Sequence, residues 1–397
     1  MFQTLTGLEY LQAEIACKHD KSFEKKNWND RLAHFATVSI LSEADIKKAS
    51  NPVGLRAAIL AYGEVMAGNP TGYMCSWDAS SSGLQFLSLL VSCPTSWQLC
   101  GGDVDNCVDS YTTIYGAMHL HGALTRKQVK DAIMTSLYGS HATPEEVFGM
   151  NIDVFYETME TMAPGAWDLN LSLQELWDQV PDNTYAWTLP DNFHACIETK
   201  NKEMQHFTFL GEEHKLTVEV AGRPDFHKGL GPNLIHSVDG MVVREMLRRC
   251  SYNAHHIQCI DDALHGVTKD YKINVYNKHE MTETLWRNYI MSGFLSARIL
   301  DYLDSDTLMR VDNMVITNLI NSMPDYSFSM VTVHDCFRAH PNYGNDLRKQ
   351  YNTILADIND SHMLTYLCSQ IADRPLNARK VGRIDRDRIL EGNYLLT

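Results

Sequence analysis

Apolar positions recur with a helical period along most of this 397-residue chain, broken by a few short stretches that alternate or run apolar. Leu32, Phe35, Ala36 and Ile40 fall at helical spacing, and the pattern resumes after Pro52 from Leu55 to Met66, so residues 1 to 70 are expected to be helical. The texture then changes. Tyr73-Met74-Cys75-Ser76-Trp77-Asp78 predicts a short strand ending in a carboxylate, followed by the small residues Ala79 to Gly83 and an amphipathic helix from Leu84 to Val91. From Asp105 to His141 the period is helical again, with Arg126 and Lys130 stacked one turn apart and Tyr138-Gly139 closing the helix. Residues 184 to 220 alternate: Tyr185 to Thr188 and Phe193 to Ile197 flank the turn signal Pro190-Asp191-Asn192, and Phe207 to Gly211 and Leu216 to Val220 follow, predicting two hairpins. Residues 232 to 250 predict a helix, and Phe328 to Asp335 a second strand ending in a carboxylate. The fold class is therefore α+β, mainly helical. With no internal repeat, low-complexity tract or obvious linker, one interwoven body is expected.

Charge narrows the functional classes. The chain has 34 Lys and Arg against 49 Asp and Glu, a formal net charge of −15, which excludes a generally basic nucleic-acid coat. Nucleic acid, if bound, needs a narrow basic channel or a partner subunit, because a phosphate backbone feels the local field of a cleft. No run approaches the roughly 18 apolar residues of a spanning helix, and the start lacks a basic stretch ahead of an apolar one, so a soluble cytosolic protein without a membrane partner is expected. The ten cysteines include no CxxC pair and are read as reduced thiols. His119 with His121, and His255 with His256, lack Cys or His partners at zinc spacing and are read as ordinary surface or core.

The two strand-end carboxylates, Asp78 and Asp335, can meet at adjacent strand ends. Paired carboxylates there suit two Mg²⁺ ions, which take oxygen ligands and clamp the attacking and leaving oxygens of an in-line phosphoryl displacement. A lone strand-end Asp is most often a cap, so neither residue alone carries this reading. The helix with Arg126, Lys130 and Tyr138 adds cations for a triphosphate and an aromatic platform beside a sugar and base.

These segments resemble, in order and in wording, the single-subunit, bacteriophage and mitochondrial type of DNA-directed RNA polymerase, the T-seven-like family. Asp78-Ala79-Ser80-Ser81-Ser82-Gly83-Leu84-Gln85 is similar to its first palm motif, Arg126 through Lys130 to Tyr138-Gly139-Ser140 to its finger-helix motif, and His334-Asp335-Cys336-Phe337 with Pro341 to its second palm motif. Asp225-Phe226-His227-Lys228 through Pro232 to Gly240 resembles the block that closes the fingers, and Asp387 to Thr397 the C-terminal foot. The resemblance implies a right-hand polymerase palm and fingers forming the catalytic half, with thumb and N-terminal domain absent. It divides the chain into a first palm part at 1–102, fingers at 103–235, and a second palm part at 236–397 with an insertion near 252–322 and the foot. It implies that Asp78 and Asp335 hold Mg²⁺, that Arg126, Lys130 and Lys21 contact phosphate, and that Tyr138 and Gly139 bind the nucleotide, Tyr138 standing beside the sugar and helping to choose ribose. His236 would touch the ribose or base-pair edge, and Lys130 could also protonate the pyrophosphate leaving group. The expected activity is template-directed ribonucleotidyl transfer for phage transcription, in the cytoplasm of an infected bacterium.

The shortness of the stretch before Asp78 resembles the larger subunit of the split, two-chain RNA polymerases of N-four-like bacteriophages. A heterodimer with a smaller N-terminal subunit is expected, with the apolar face of residues 1 to 70 packed on that second polypeptide. DNA template, RNA product, ribonucleoside triphosphates and a promoter-melting or single-strand-binding factor complete the expected partners. One departure is that His236 and His334 stand 98 positions apart (334 − 236), which a mostly polar, helical insertion explains. Within it, Ile257 to Leu264 also has a strand-then-Asp look, at Asp261-Asp262; Asp335 is preferred because His334, Phe337 and Pro341 accompany it. A family A DNA polymerase and a non-catalytic scaffold subunit are the alternatives. The first usually carries a bulky acid soon after the first Asp and a second acid after the His-Asp, where this chain has Ser, Gly and Cys336; the second would tolerate loss of the ligands that are all present. A Ser hydrolase built on Ser80 to Ser82 lacks the GxSxG context.

Overall fold

Several helices begin where the sequence places capping groups. Thr6 with Glu9, Ser42 with Asp45 and Thr125 with Gln128 form reciprocal capping boxes, and Asn51 caps a helix whose first residue is Pro52. The computed structural model of the chain describes residues 1–38, 42–120, 124–179, 184–222 and 229–397. Ile40, His121 and the Asp225 to Lys228 stretch lie outside the described residues. The N-terminal region holds α1 (Gly7–His19), a 3₁₀ turn (Lys21–Lys25), α2 (Trp28–Val38), α3 (Glu43–Lys48) and α4 (Pro52–Met66). Then come β1 (Cys75–Asp78), α5 (Ser82–Leu90), α6 (Pro94–Trp97), α7 (Ser110–Ala117), α8 (Arg126–Ser136), α9 (Ala142–Phe148), α10 (Ile152–Met162) and α11 (Pro164–Gln179). Two hairpins follow, β2 (Thr184–Thr188) with β3 (His194–Glu198), and β4 (Lys200–Phe209) with β5 (Glu212–Ala221). The rest comprises α12 (Leu230–Cys250), α13 (Ala254–Leu264), α14 (Lys278–Ser292), α15 (Asn313–Asn321), β6 (Met330–Val333), β7 (Cys336–Ala339), α16 (Gly344–Asp360), α17 (Met363–Ile371) and α18 (Arg386–Leu390). The chain is mostly helical with small antiparallel sheets, as its hydropathy pattern predicts, and among the described residues no helix is long and apolar enough to cross a membrane.

The sheet that matters most has the order β1-β7-β6, all antiparallel. β7 is central, pairing Asp78 with Cys336 on one side and Val333 with Cys336 on the other. Its buried face carries Trp77 and Phe337 into the main core, where Trp77 meets Tyr10 of α1 edge-on at 5.3 Å and Phe337 packs beside Tyr351 of α16.

Several expectations are corrected here. Part of the apolar face of residues 1 to 70, expected to pack on a second polypeptide, is covered by the chain itself: Tyr10, Leu11, Ile15 and Ala16 of α1 are buried in the main core together with Leu55 and Ala58 of α4. What α4 leaves exposed is its other side, with Val53, Leu60 and Met66. α5 is not amphipathic but buried all round; its polar Gln85 and Ser88 are satisfied internally, Gln85 by the carbonyls of Cys100 and Leu395 and the Tyr351 hydroxyl, Ser88 by the carbonyl of Leu84. The 105–141 stretch is two helices, α7 and α8, instead of one. The 252–322 segment is less polar in effect than it looks in sequence, since Ile260, Leu285, Ile299, Leu300, Leu303 and Ile316 form a second core of its own. Its rival Asp262 lies on α13, a helix, with Gln258 donating to its carboxylate, so the strand-then-Asp reading fails there.

Candidate active site

The turn between β6 and β7 consists of His334 and Asp335, and His334 takes a left-handed backbone with φ 54°. A two-residue hairpin needs positive φ to match the twist of its strands, and a side chain there costs about 1 kcal/mol. The turn puts Asp335 beside the end of β1, where the Ala79 N–H donates to the Asp335 carbonyl at 3.2 Å. The far edge of this segment is held by the chain's last residues: Asp78 and Thr397 exchange backbone hydrogen bonds at 2.8 and 2.9 Å, and Ser80 N–H donates to Leu395. Small residues let the chain turn sharply from β1 into α5, with Ser81 in the left-handed region at φ 58°. Asp78 and Asp335, far apart in sequence, thus share one rigid corner.

Around this corner lies a cleft of about 310 Å³. It is lined by Asp78, Asp335, Lys21, Arg126, Lys130 and Tyr138, six of the eight residues singled out from the sequence. The other two stand behind. His236, on the exposed side of α12, meets the Tyr138 ring edge-on at 5.1 Å, and Gly139 sits at φ 75° with its Cα against Gln174, where a left-handed residue ends the turn after α8.

Protein packed around the Asp78 carboxyl and the negative charge of Asp335 push its pKa up to about 6, against the pull of Lys25 and Lys130. Asp239, one turn beyond His236 on α12, is likewise raised to about 6, by burial first and Asp335 second. Asp335 thus acts on two further carboxyl groups beside a cationic rim. Lys130 and Arg126 flank the ring of Tyr111 at 5.7 and 5.6 Å. Arg126 is already engaged, its Nε and Nη2 donating to Asp109 at 2.6 and 2.9 Å, so a phosphate would meet its remaining Nη1 edge while Lys130 presents a whole ammonium. Lys21 is carried on the 3₁₀ turn, which Asp20 caps through the Ser22 N–H and which Ser50 anchors at the Lys21 N–H. The Tyr138 hydroxyl points at Gly83 of α5: a Cβ on Gly83 would lie 2.6 Å from it.

Sequence reasoning missed Lys25, Glu24, Tyr111, Asp109 and the role of Asp239. Lys25 had a signal, the four-residue spacing from Lys21; Asp109 and Tyr111 had none, because their importance comes from α7 packing beside α8. Among the described residues no group of three or more His, Cys, Asp or Glu side chains is arranged to hold a metal ion. His256 is occupied on both ring nitrogens, by the Tyr271 hydroxyl and the Leu300 carbonyl, in keeping with an ordinary structural role. What the cleft offers a cation is the pair Asp78 and Asp335, two hard oxygen donors whose repulsion a divalent ion would relieve. That set suits Mg²⁺, which takes one or two carboxylates and completes its shell with water and phosphate. No protein-family model matches the chain, and no curated protein matches it.

Proposed function

We propose that this chain is the catalytic part of a DNA-directed RNA polymerase of the single-subunit type, adding ribonucleotides to a growing strand on a DNA template. One observation carries the reading: three stretches that resemble polymerase motifs, separated by long intervening sequence, supply Asp78, Asp335, Arg126, Lys130 and Tyr138 to one cleft. On this reading the three-stranded sheet with α5 and α16 is the palm, and α7 to α11 with the hairpins belong to the fingers. Asp78 and Asp335 would hold Mg²⁺, which supplies charge neutralisation at the reacting phosphate and activates the attacking hydroxyl. The rest of the chemistry belongs to the side chains. Lys130, Lys21 and the free edge of Arg126 bind the triphosphate, and Lys130 is placed to protonate the departing pyrophosphate. Tyr138 packs beside the incoming sugar, its ring braced by His236.

Ribonucleotide use, in preference to the deoxyribonucleotides of a family A DNA polymerase, is supported by Gly83. With no side chain, Gly83 lets the Tyr138 hydroxyl pack directly against it, since a Cβ there would lie 2.6 Å from that oxygen, and it supplies no bulky acid to exclude a 2′-hydroxyl. A primer-extension assay on a short DNA template, with ribonucleotides or deoxyribonucleotides as the sole substrates and Mg²⁺ present, tests the proposal. Magnesium-dependent addition of ribonucleotides is the expected outcome. Extension with deoxyribonucleotides alone would favour the DNA polymerase, and no extension, with or without an added second polymerase subunit, would favour the scaffold reading.

A further inference from the structure

Between α17 and the end of α18 the chain reverses its overall charge. Residues 374–388 contain six Arg and Lys against two Asp, within a protein of net charge −15. Most of this stretch is an extended strap laid over the C-terminal end of α5, and the way it is fastened is specific. Leu376 N–H donates to Ser369 Oγ at 3.0 Å, Ala378 N–H to Thr365 Oγ1 at 3.1 Å, Val381 N–H to the Val91 carbonyl at 2.8 Å, and Asn359 Nδ2 to the Ile384 carbonyl at 3.2 Å. At Gly382 the strap runs so close to the preceding turn that a Cβ would lie 2.7 Å from Pro94 and 2.9 Å from the Ser92 carbonyl. Ile384 is buried beneath it, while Arg379, Arg383 and Arg388 face outward.

Those three arginines make no ion pair or hydrogen bond among the described residues, whereas Arg386 is consumed by Asp357 and Asp360. Beside the strap is a shallow cavity of about 390 Å³, lined by His362, Thr365, Asn377, Arg379 and Lys380, with no carboxylate in its wall. A fixed backbone presenting unpaired guanidinium groups next to a donor-lined hollow is an arrangement for anionic oxygens spaced along a ligand. No Phe, Tyr or Trp lines the hollow, so it offers backbone contacts in place of a broad stacking platform.

We propose that the 374–388 strap is a second nucleic-acid contact, separate from the catalytic cleft, which holds the phosphodiester backbone of a single strand without reading its sequence. The choice of nucleic acid over other polyanions rests on the polymerase reading. The site itself is distinct: α5 separates strap from cleft, with Gly83 at one end and the Val91 carbonyl just past the other, a nine-residue helix of about 13 Å. A contact that far from the reacting atoms retains the strand between additions and leaves the chemical step alone.

The test is fluorescence anisotropy of a labelled oligothymidylate of about 20 nucleotides titrated with the full chain over roughly 50 to 200 mM salt. The double variant Arg379→Gln/Arg383→Gln is expected to bind about ten-fold more weakly, with a log–log salt slope shallower by about 1.4, two phosphates at ~0.7 each. The charge-preserving Arg379→Lys/Arg383→Lys should keep the wild-type slope, which separates lost charge from damaged structure. An unchanged slope in the Gln variant overturns the proposal. So does strap-dependent binding of polyglutamate, or of phosphatidylserine vesicles, that exceeds oligonucleotide binding, since the partner would then be an acidic protein or a membrane. Extension of a short primed template is measured in parallel. Strap-dependent oligonucleotide binding by a chain that extends no primer, with or without an added second polymerase subunit, would refute the polymerase reading and leave the strap standing, whereas normal extension with an unchanged salt slope would do the reverse.

Discussion

Asp78 in the cleft and Asp304 in the second core are carboxylates enclosed by the same chain, and their surroundings treat them in opposite ways. Burial works to raise Asp304, but the Lys278 ammonium and the N–H groups of Ile273, Thr307 and Asp306 outweigh it and hold its pKa at about 2. Asp191, at the β2–β3 turn, is treated alike: burial is overcome by Arg244, which donates at 2.6 and 3.2 Å, and by Arg248 at 3.0 Å. Among the described residues Asp78 and Asp239 receive no such donors, and they are raised instead, each by burial and by Asp335. A carboxylate whose lone pairs are filled from its own chain is structural. On the proposed reading, one that is left repelled beside another, in a cleft with a cationic rim, is a candidate to bind a ligand.

The sharpest way to break this comparison is to neutralise one carboxylate of each kind. Asp335→Asn is expected to lower nucleotide addition by three or more orders of magnitude while the far-ultraviolet circular dichroism and melting temperature hold or rise, because the metal clamp goes and a repulsion goes with it. An Asp262→Asn variant should extend primers normally. If Asp335→Asn stays active, the cleft is not the reaction centre.

Asp304→Asn is the mirror experiment. The Asp304 pKa lies below its unfolded value, so its contribution to stability is complete above pH about 4 and is lost as pH falls toward 2. At neutral pH the variant should be destabilised by about 2–3 kcal/mol, since Lys278 is left without its counter-charge, with the rate of nucleotide addition unchanged in the folded fraction. Urea unfolding at pH 7 and pH 3 provides the measurement, and a deficit that persists undiminished at pH 3 would contradict the assignment.

The sugar-side residues give a smaller effect. Tyr138→Phe should reduce the preference for ribonucleotides over deoxyribonucleotides several-fold, and Gly83→Ala should do so too, because the added Cβ would lie 2.6 Å from the Tyr138 hydroxyl and displace it. Competition between the two nucleotide types on one primer reads the ratio directly. If Gly83→Ala alters only KM and leaves the ratio fixed, the Gly83 to Tyr138 gap has no part in sugar choice.

How much of this was legible in the sequence depended on whether a residue acts through its neighbours in the chain or through partners brought by the fold. The two hairpins and the strand end at Asp78 follow local rules of period and turn chemistry and stand where those rules put them, whereas the strand expected over Phe328 to Asp335 stops at Val333 and leaves Asp335 in the hairpin turn. Asp191 shows where local rules stop. In the sequence it is the middle of a Pro-Asp-Asn turn signal, and it does sit in a turn, with Asn192 at φ 58°. Its burial beneath Arg244 and Arg248, 53 and 57 positions away, depends on where α12 passes. In α5, buried from Leu84 to Leu90, Gln85 and Ser88 look like a polar face in the sequence; only the carbonyls of Cys100, Leu395 and Leu84 show how they are satisfied inside. In the cleft, likewise, charges were legible and pairings were not: Arg126 is a visible cation whose Asp109 partner no spacing announces.

The smallest expected effect is also the most direct check on the idea that the cleft stores repulsion. Asp78 has a folded-state pKa near 6, above its unfolded value of about 3.8, so the folded chain holds that proton more tightly and loses stability as pH rises from about 4 through 6. Removing the charge with Asp78→Asn should then stabilise the metal-free chain at pH 7 to 8 by about 1 kcal/mol, a figure kept small because water in the cleft screens the pair. The gain should vanish below pH 4, where the wild-type carboxyl is already neutral. Added Mg²⁺ should raise the melting temperature of the wild type and leave the variant less affected, because an ion relieves in one the repulsion that the substitution has removed from the other. The three results belong together: a stabilised variant with no pH dependence would point to better packing, and a wild type indifferent to Mg²⁺ would mean that Asp78 and Asp335 repel each other without holding a metal.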